Sequence, residues 1–156
     1  MSASAWFIAR VLVVDIIIVA AGSIIIGAVA PRWPAAWLDR DLGPLRLMRR
    51  ETPSAYRSLG VTTLTRRLPE LGSAFGGDSK AALPGRDRAS IEGYLREVRR
   101  GEWVHWASCL TVLPLWFFNP WWLAVAFTFV VVGGNALFII VLRHNRSRLL
   151  RILKRG

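Results

Sequence analysis

Residues 120–142, PWWLAVAFTFVVVGGNALFIIVL, form a run of 23 residues without a charge. An α-helix rises about 1.5 Å per residue, so about 20 apolar residues cross a hydrocarbon core of roughly 30 Å. The run is therefore long enough to span a bilayer alone. Just before it stands Asn119-Pro120, a turn dipeptide whose Pro suits the first turn of a helix. Before the turn, Trp103–Phe118 is a 16-residue apolar run with His105 as its one ionisable residue. It is short, but it pairs with the following run as a membrane hairpin over 103–142, with Pro114 kinking the first arm. Nearer the N-terminus, Val11–Ala30 is a 20-residue run broken by Asp15. The expected fold class is an all-α membrane protein with three transmembrane helices, at about 8–30, 103–118 and 120–142. Ala28-Val29-Ala30 resembles a signal-peptide cleavage site, but the run is long for a signal peptide's apolar part, contains Asp15 and follows a single basic residue, Arg10. A retained helix is the expectation.

Composition agrees with segregation along the chain. Hydrophobic residues make up 53% of the 156, yet the formal net charge is +11. One Lys or Arg precedes the first run, fourteen lie between the first and second, and six follow the third. By the positive-inside rule the N-terminus lies outside, with the loop 31–102 and the basic tail 143–156 in the cytoplasm. The eight Trp residues fall near the ends of the three runs: Trp33, Trp37, Trp103 and Trp106 inside, Trp6, Trp116, Trp121 and Trp122 outside. Indole prefers the headgroup level. The chain reads as one integral membrane domain over 1–156. The single cysteine, Cys109, excludes an intrachain disulfide and reads as a small apolar residue.

The loop contains its own signals. Asp39-Arg40-Asp41-Leu42-Gly43-Pro44 predicts a turn. Thr52 to Gly60 predicts a short helix, with Thr52 as N-cap, Pro53 at the first position and Gly60 as C-cap. Thr63–Leu68 predicts a short basic amphipathic turn stopped by Pro69, and Leu71–Gly77 a flexible segment. From Ser90 a helix with the apolar face Ile91, Tyr94, Leu95 and Val98 is expected to continue past Gly101 into the second run. Basic amphipathic helices beside a membrane lie on anionic headgroups. The basic residues flank apolar runs and no stacking platform accompanies them, so nucleic acid is not an expected partner; membrane lipids are.

Three groups can carry chemistry. Glu102 and His105 stand at i,i+3 and share a helix face, so the carboxylate can orient the imidazole as a general base. Both can also be plain interfacial residues. Glu97 and Gly101 extend that face, and Gly101 admits a close neighbour. Asn135 lies about 10 Å inside the third run, at the depth of His105, Ser23 and Gly27. Asn is costly in hydrocarbon and should face a cavity or a helix partner, the latter aided by Gly133 and Gly134. Asp15 lies toward the outer side and should pair with Arg10 or an outer polar group. Arg143-His144-Asn145-Arg146-Ser147-Arg148 could hold a phosphate or sugar, although cations at a helix C-terminus are ordinary. No metal site is expected: the single E-x-x-H pair falls short of a di-iron set, and no zinc pattern occurs.

From about Arg49 to Leu150 the chain resembles the glycosyl-4,4'-diaponeurosporenoate acyltransferases, small bacterial membrane proteins of carotenoid biosynthesis. The resemblance rests on Arg50-Glu51, Tyr56-Arg57-x-Leu59-Gly60-Val61, Arg67-Leu68-Pro69, Phe75-Gly76-Gly77-x-Ser79-Lys80, Glu97-x-Arg99-Arg100-x-Glu102-x-x-His105-Trp106, Asn135 and Arg143-x-Asn145-Arg146-x-Arg148. It implies transfer of a fatty acyl group to a hydroxyl of a glycosylated lipid, with an acyl-CoA or acyl-lipid donor, a glycolipid acceptor and no cofactor. Fitted to that activity, His105 oriented by Glu102 removes the hydroxyl proton and Asn135 donates to the acyl oxyanion. Lys80, Arg143 and Arg146 hold donor phosphates. Tyr56, Arg57, Glu97 and Asn145 complete the expected substrate contacts. Three spans enclose little space, so a homo-oligomer or a larger membrane complex is compatible. The rival readings are a non-enzymatic subunit or scaffold of such a complex, and a lipid hydrolase or metal-assisted enzyme using Glu102 and His105.

Overall fold

A computed structural model describes residues 3–67 and 87–155. Among the described residues every regular element is helical. In chain order these are α1 (Ala3–Val29), a 3-10 turn (Ala30–Arg32), α2 (Ala35–Leu38), a 3-10 turn (Gly43–Leu45), α3 (Pro53–Ser58) and α4 (Val61–Arg67). Then follow α5 (Arg88–Cys109), a 3-10 turn (Leu110–Val112), α6 (Leu115–Phe118) and α7 (Trp121–Leu153). The sequence signals at positions 69, 71–77 and 80 lie outside the described residues.

Among the described residues two helical stretches are long and apolar enough to cross a membrane, Trp6–Arg32 and Trp121–Leu153. Their most apolar windows are only 6% and 11% buried. A core helix of a soluble protein would be mostly covered, whereas Ile16, Ile17, Ile24, Ile25, Phe129 and Val130 present their side chains outward. The expected second span at 103–118 is corrected. Trp103–Cys109 is the end of α5, whose earlier turns carry Arg96, Glu97, Arg99, Arg100 and Glu102. After Cys109 the chain tightens into the 3-10 turn, and Pro114 and the four-residue α6 follow. Pro114 has no N–H to continue a helical ladder. The arm is broken, and no continuous apolar helix forms there.

Other boundaries follow local chemistry. The Thr52 hydroxyl accepts from the Ala55 amide at 3.2 Å, with Pro53 next in line. Gly60 follows α3 with φ +71°, the left-handed conformation that favours glycine after a helix. Asp87 caps α5 by accepting from the Ser90 amide at 2.9 Å, so the helix begins two residues before Ser90. Asn119 is extended, as a residue before proline prefers, and α7 starts after Pro120. α7 does not stop at Leu142. It continues through the basic cluster to Leu153, so residues 143–153 form part of one 33-residue helix rather than a separate tail.

α5 and α7 make the largest interface. The apolar face expected on α5 packs there: Ile91, Tyr94, Leu95 and Val98 form one cluster with Leu142 and Leu149. At Gly101 a Cβ would stand 3.4 Å from the Leu142 side chain, so this position does admit a close helix neighbour. Gly133 and Gly134 have nothing within 4 Å of an added Cβ, so they do not aid packing within the chain. α1 leans on the 110–112 turn, where Gly22 meets Thr111. Asp15, 3% exposed, accepts a hydrogen bond from the Asn119 amide at 2.8 Å, the polar partner it needs inside an apolar helix. At the other end Trp33, Trp37 and Trp103 cluster, with successive ring centroids 6.4 Å apart. With Gly101 of α5 set against Leu142 of α7, these two contacts make α1 and α7 run in the same direction. Trp6 stands nine residues before Asp15, about 13 Å of helix, and so is not level with Trp121.

Candidate functional site

His105 and Asn135 meet. His105 Nδ1 and Asn135 Oδ1 are 2.8 Å apart, and the imidazole stacks on Phe138 with centroids 4.7 Å apart and planes 6° from parallel. The Asn135 Nδ2 donates to the Val131 carbonyl, one turn back, at 2.9 Å. That bond fixes which end of the amide faces the ring. An oxygen facing Nδ1 requires Nδ1 to carry the proton, so the neutral imidazole holds its lone pair on Nε2. The depth matching of His105 and Asn135 in the sequence is realised as a direct bond.

Glu102 is elsewhere. Its side chain is fully buried, with Oε1 3.2 Å from Arg143 and 3.3 Å from Arg146, and Oε2 3.1 Å from the Arg146 Nε. The structure does not set it on the His105 Nδ1; Asn135 takes that place. Burial pushes the Glu102 carboxyl up to about 7, against the pull of the Arg146 and Arg143 charges.

Arg143 and Arg146 are engaged too. Arg143 donates to both Glu51 oxygens at 2.7 and 2.8 Å, to the Pro44 carbonyl at 2.8 Å and to the Arg46 carbonyl at 2.7 Å. Arg146 pairs with Asp41 at 2.7 Å and donates to the Leu45 carbonyl. Arg99 joins through Asp41 at 2.8 Å and the carbonyls of Leu38 and Asp39. Three arginines and three carboxylates therefore strap residues 38–51 across the α5–α7 interface. The expected phosphate contacts of Arg143 and Arg146 are occupied by protein partners. Sequence reading missed Asp41 and Glu51 as members of this network. The available signal was their setting, since acids within a basic loop gain by pairing with its cations.

The remaining expected residues are dispersed. Tyr56 is buried, donates to Glu51 at 2.5 Å and sets its ring edge on His144. Glu97 accepts from Arg100 at 2.5 and 2.6 Å on α5. Asn145 is half-buried on α7, and Arg57 is exposed at the end of α3. Lys80 lies outside the described residues.

Glu51 makes the network sensitive to acid. Burial works to raise its carboxyl, but the bonds from Arg143 and Tyr56 outweigh it and hold the group at about 2, below the ordinary 4.5. A depressed carboxylate contributes stability that is present above its ordinary value and lost as pH falls through the folded one. Glu102, raised, acts in the opposite sense: its share falls as pH rises from 4.5 toward 7. The difference in melting temperature between the wild type and Glu51→Gln isolates the first term. It should be constant above about pH 5 and shrink from there toward about 2. A difference independent of pH would refute the assignment.

A family model described as glycosyl-4,4'-diaponeurosporenoate acyltransferase matches residues 34–155. No curated protein and no solved structure matches the chain.

Proposed function

The chain belongs to the glycosyl-4,4'-diaponeurosporenoate acyltransferase family, and from that premise we propose that it is a membrane O-acyltransferase. It moves a fatty acyl group to a hydroxyl of a glycosylated lipid or carotenoid-like acceptor at the cytoplasmic face of a bacterial membrane. The observation that carries this reading is the His105–Asn135 pair, which places the proton of the neutral ring on Nδ1 and its lone pair on Nε2. Nε2 takes the proton of the acceptor hydroxyl as its oxygen attacks the acyl carbonyl. The tetrahedral intermediate collapses, the donor's thiolate or alkoxide leaves, and His105 returns the proton to it. Asn135 is a positioning residue: it holds the ring and its tautomer, with its amide turned to Val131.

Membrane residence is supported by the two exposed apolar helices and by their common direction. α1 and α7 form the membrane-crossing elements, with the broken 103–118 arm packed beside α7. The basic end of α7 and the Trp33–Trp37–Trp103 cluster then lie together on the cytoplasmic side, with the N-terminus outside. Acyl donor and glycolipid acceptor approach from that side, and lipids cover the outer faces of α1 and α7.

The test is transfer of a labelled acyl group from acyl-CoA or phospholipid to glycolipid acceptors by the purified protein. His105→Ala should lower the rate by about 10²–10⁴-fold. Full activity in that variant would remove His105 from the mechanism. No transfer from any donor, with stable co-purification in a larger complex, would replace the enzyme reading with a scaffold.

A further inference from the structure

A second cluster of charge lies on the other side of α7. A cavity of 460 Å³ opens between α3, α4 and the C-terminal part of α7, and Arg57, Arg148, Arg151, Arg155 and His144 line it. Residues 144, 148, 151 and 155 recur at intervals of four, three and four, which places them in one stripe along the helix. Arg57 reaches the same cavity from α3, about ninety residues earlier in the chain. The helix dipole accounts for cations in a last turn, but it does not explain why a guanidinium from a separate element joins them.

Two observations point to a ligand. Arg57, Arg148, Arg151 and Arg155 are exposed and make no ion pair among the described residues, whereas Arg99, Arg143 and Arg146 are all held by carboxylates. Four like charges around one cavity repel unless an anion enters. His144 supplies the second observation. It is 2% exposed, and neither ring nitrogen has a hydrogen-bond partner among the described residues. An imidazole buried with both polar atoms unmet is costly, and a ligand oxygen at the ring would satisfy its N–H.

We propose that this cavity is a phosphate-binding site. Phosphate oxygens accept from Arg57, Arg148, Arg151 and Arg155, which suit them as planar forked donors, and His144 donates from the floor. The cavity begins two residues beyond Leu142, where the apolar run ends, and extends over roughly 16 Å of helix axis. That is the level of lipid headgroups and the adjoining cytoplasm. His144 follows Asn135 by nine residues, roughly 13 Å along α7 and half a turn around it. The site therefore grips a part of the ligand remote from the reacting carbonyl. Its service as the donor's anchor rests on the acyl-transfer reading; its affinity for phosphate does not. The phosphate belongs either to a soluble phosphorylated donor or to an anionic phospholipid.

The test uses the full-length protein purified in neutral detergent, with two probes. Pyrophosphate binding is measured by calorimetry, and retention of phosphatidic acid against phosphatidylcholine by native mass spectrometry. The double variant Arg148→Gln/Arg151→Gln should weaken binding of the favoured probe by roughly a hundred-fold. Arg88→Gln, an exposed arginine paired with Glu92 on α5, should leave it unchanged. Binding of pyrophosphate alone identifies a soluble donor, and of phosphatidic acid alone a membrane lipid. Equal binding by wild type and double variant in both arms overturns the site, as does an equal loss in Arg88→Gln, which would reduce the effect to net charge. Neither readout involves turnover, so the site can fail while His105-dependent transfer stands.

Discussion

Glu102→Ala should be the most destabilising single substitution in the chain, lowering stability by about 3–5 kcal/mol. The carboxylate is fully buried and faces two guanidiniums that are themselves 8% exposed or less. Removing it leaves Arg143 with Glu51 and Arg146 with Asp41, so two largely buried cations share less negative charge. The cavity left by the side chain adds to the cost. Glu102→Gln keeps the shape and one acceptor oxygen, and should lose clearly less than Glu102→Ala. The measurement is thermal unfolding in detergent micelles, where the alanine variant should melt roughly 10 °C lower. An alanine variant as stable as the wild type would contradict the ion network. The same comparison separates structure from catalysis: glutamine should retain most acyl transfer, since the His105 Nδ1–H donates to Asn135 and not to Glu102.

Asn135→Leu should give the second-largest effect, on turnover rather than on stability. It removes the oxygen that accepts the hydrogen bond from His105 Nδ1, so that bond no longer sets the tautomer and the proton can move to Nε2. The acyl-transfer rate constant should fall by roughly 10–100-fold, with the acidic limb of the pH–rate profile displaced. KM for the acceptor should change little. The double variant His105→Ala/Asn135→Leu should be no slower than His105→Ala alone, because a positioning residue has nothing left to position. Additive losses would mean that Asn135 acts directly on the substrate, as the oxyanion donor expected from the sequence. An Asn135→Leu enzyme with an unaltered rate and pH profile would remove it from the site.

The helical architecture was legible because its determinants are local. The uncharged run after Pro120, the Thr52-Pro53 start, the Gly60 stop and the apolar stripe on α5 each depend on neighbours within a turn or two. The second span was misread for a related reason. Hydropathy weighs residue type, but a helix also needs an unbroken ladder, and the 3-10 turn and Pro114 interrupt it. The His105–Asn135 contact was reachable by counting residues from the ends of two apolar runs, which is depth and not yet contact.

The role of Glu102 could not be reached that way. An i,i+3 spacing to His105 and a burial partner 41 residues away are equally consistent with the sequence. A desolvated carboxylate gains more from a cation than from a neutral imidazole, so the choice fell to whichever guanidinium the packing brought near. α5 lies against α7 with Arg143 and Arg146 facing it, and the 38–51 strap carries Asp41 and Glu51 to their other side. That consumed the arginines expected to hold phosphate and left Arg148, Arg151 and Arg155 on the opposite face. Sequence by itself determined where this chain is helical, where it is apolar and that its basic segments flank those apolar runs, because these follow from local order. Tertiary structure alone decided which charges neutralise one another and which stay available, because pairing depends on distances between segments far apart in the chain.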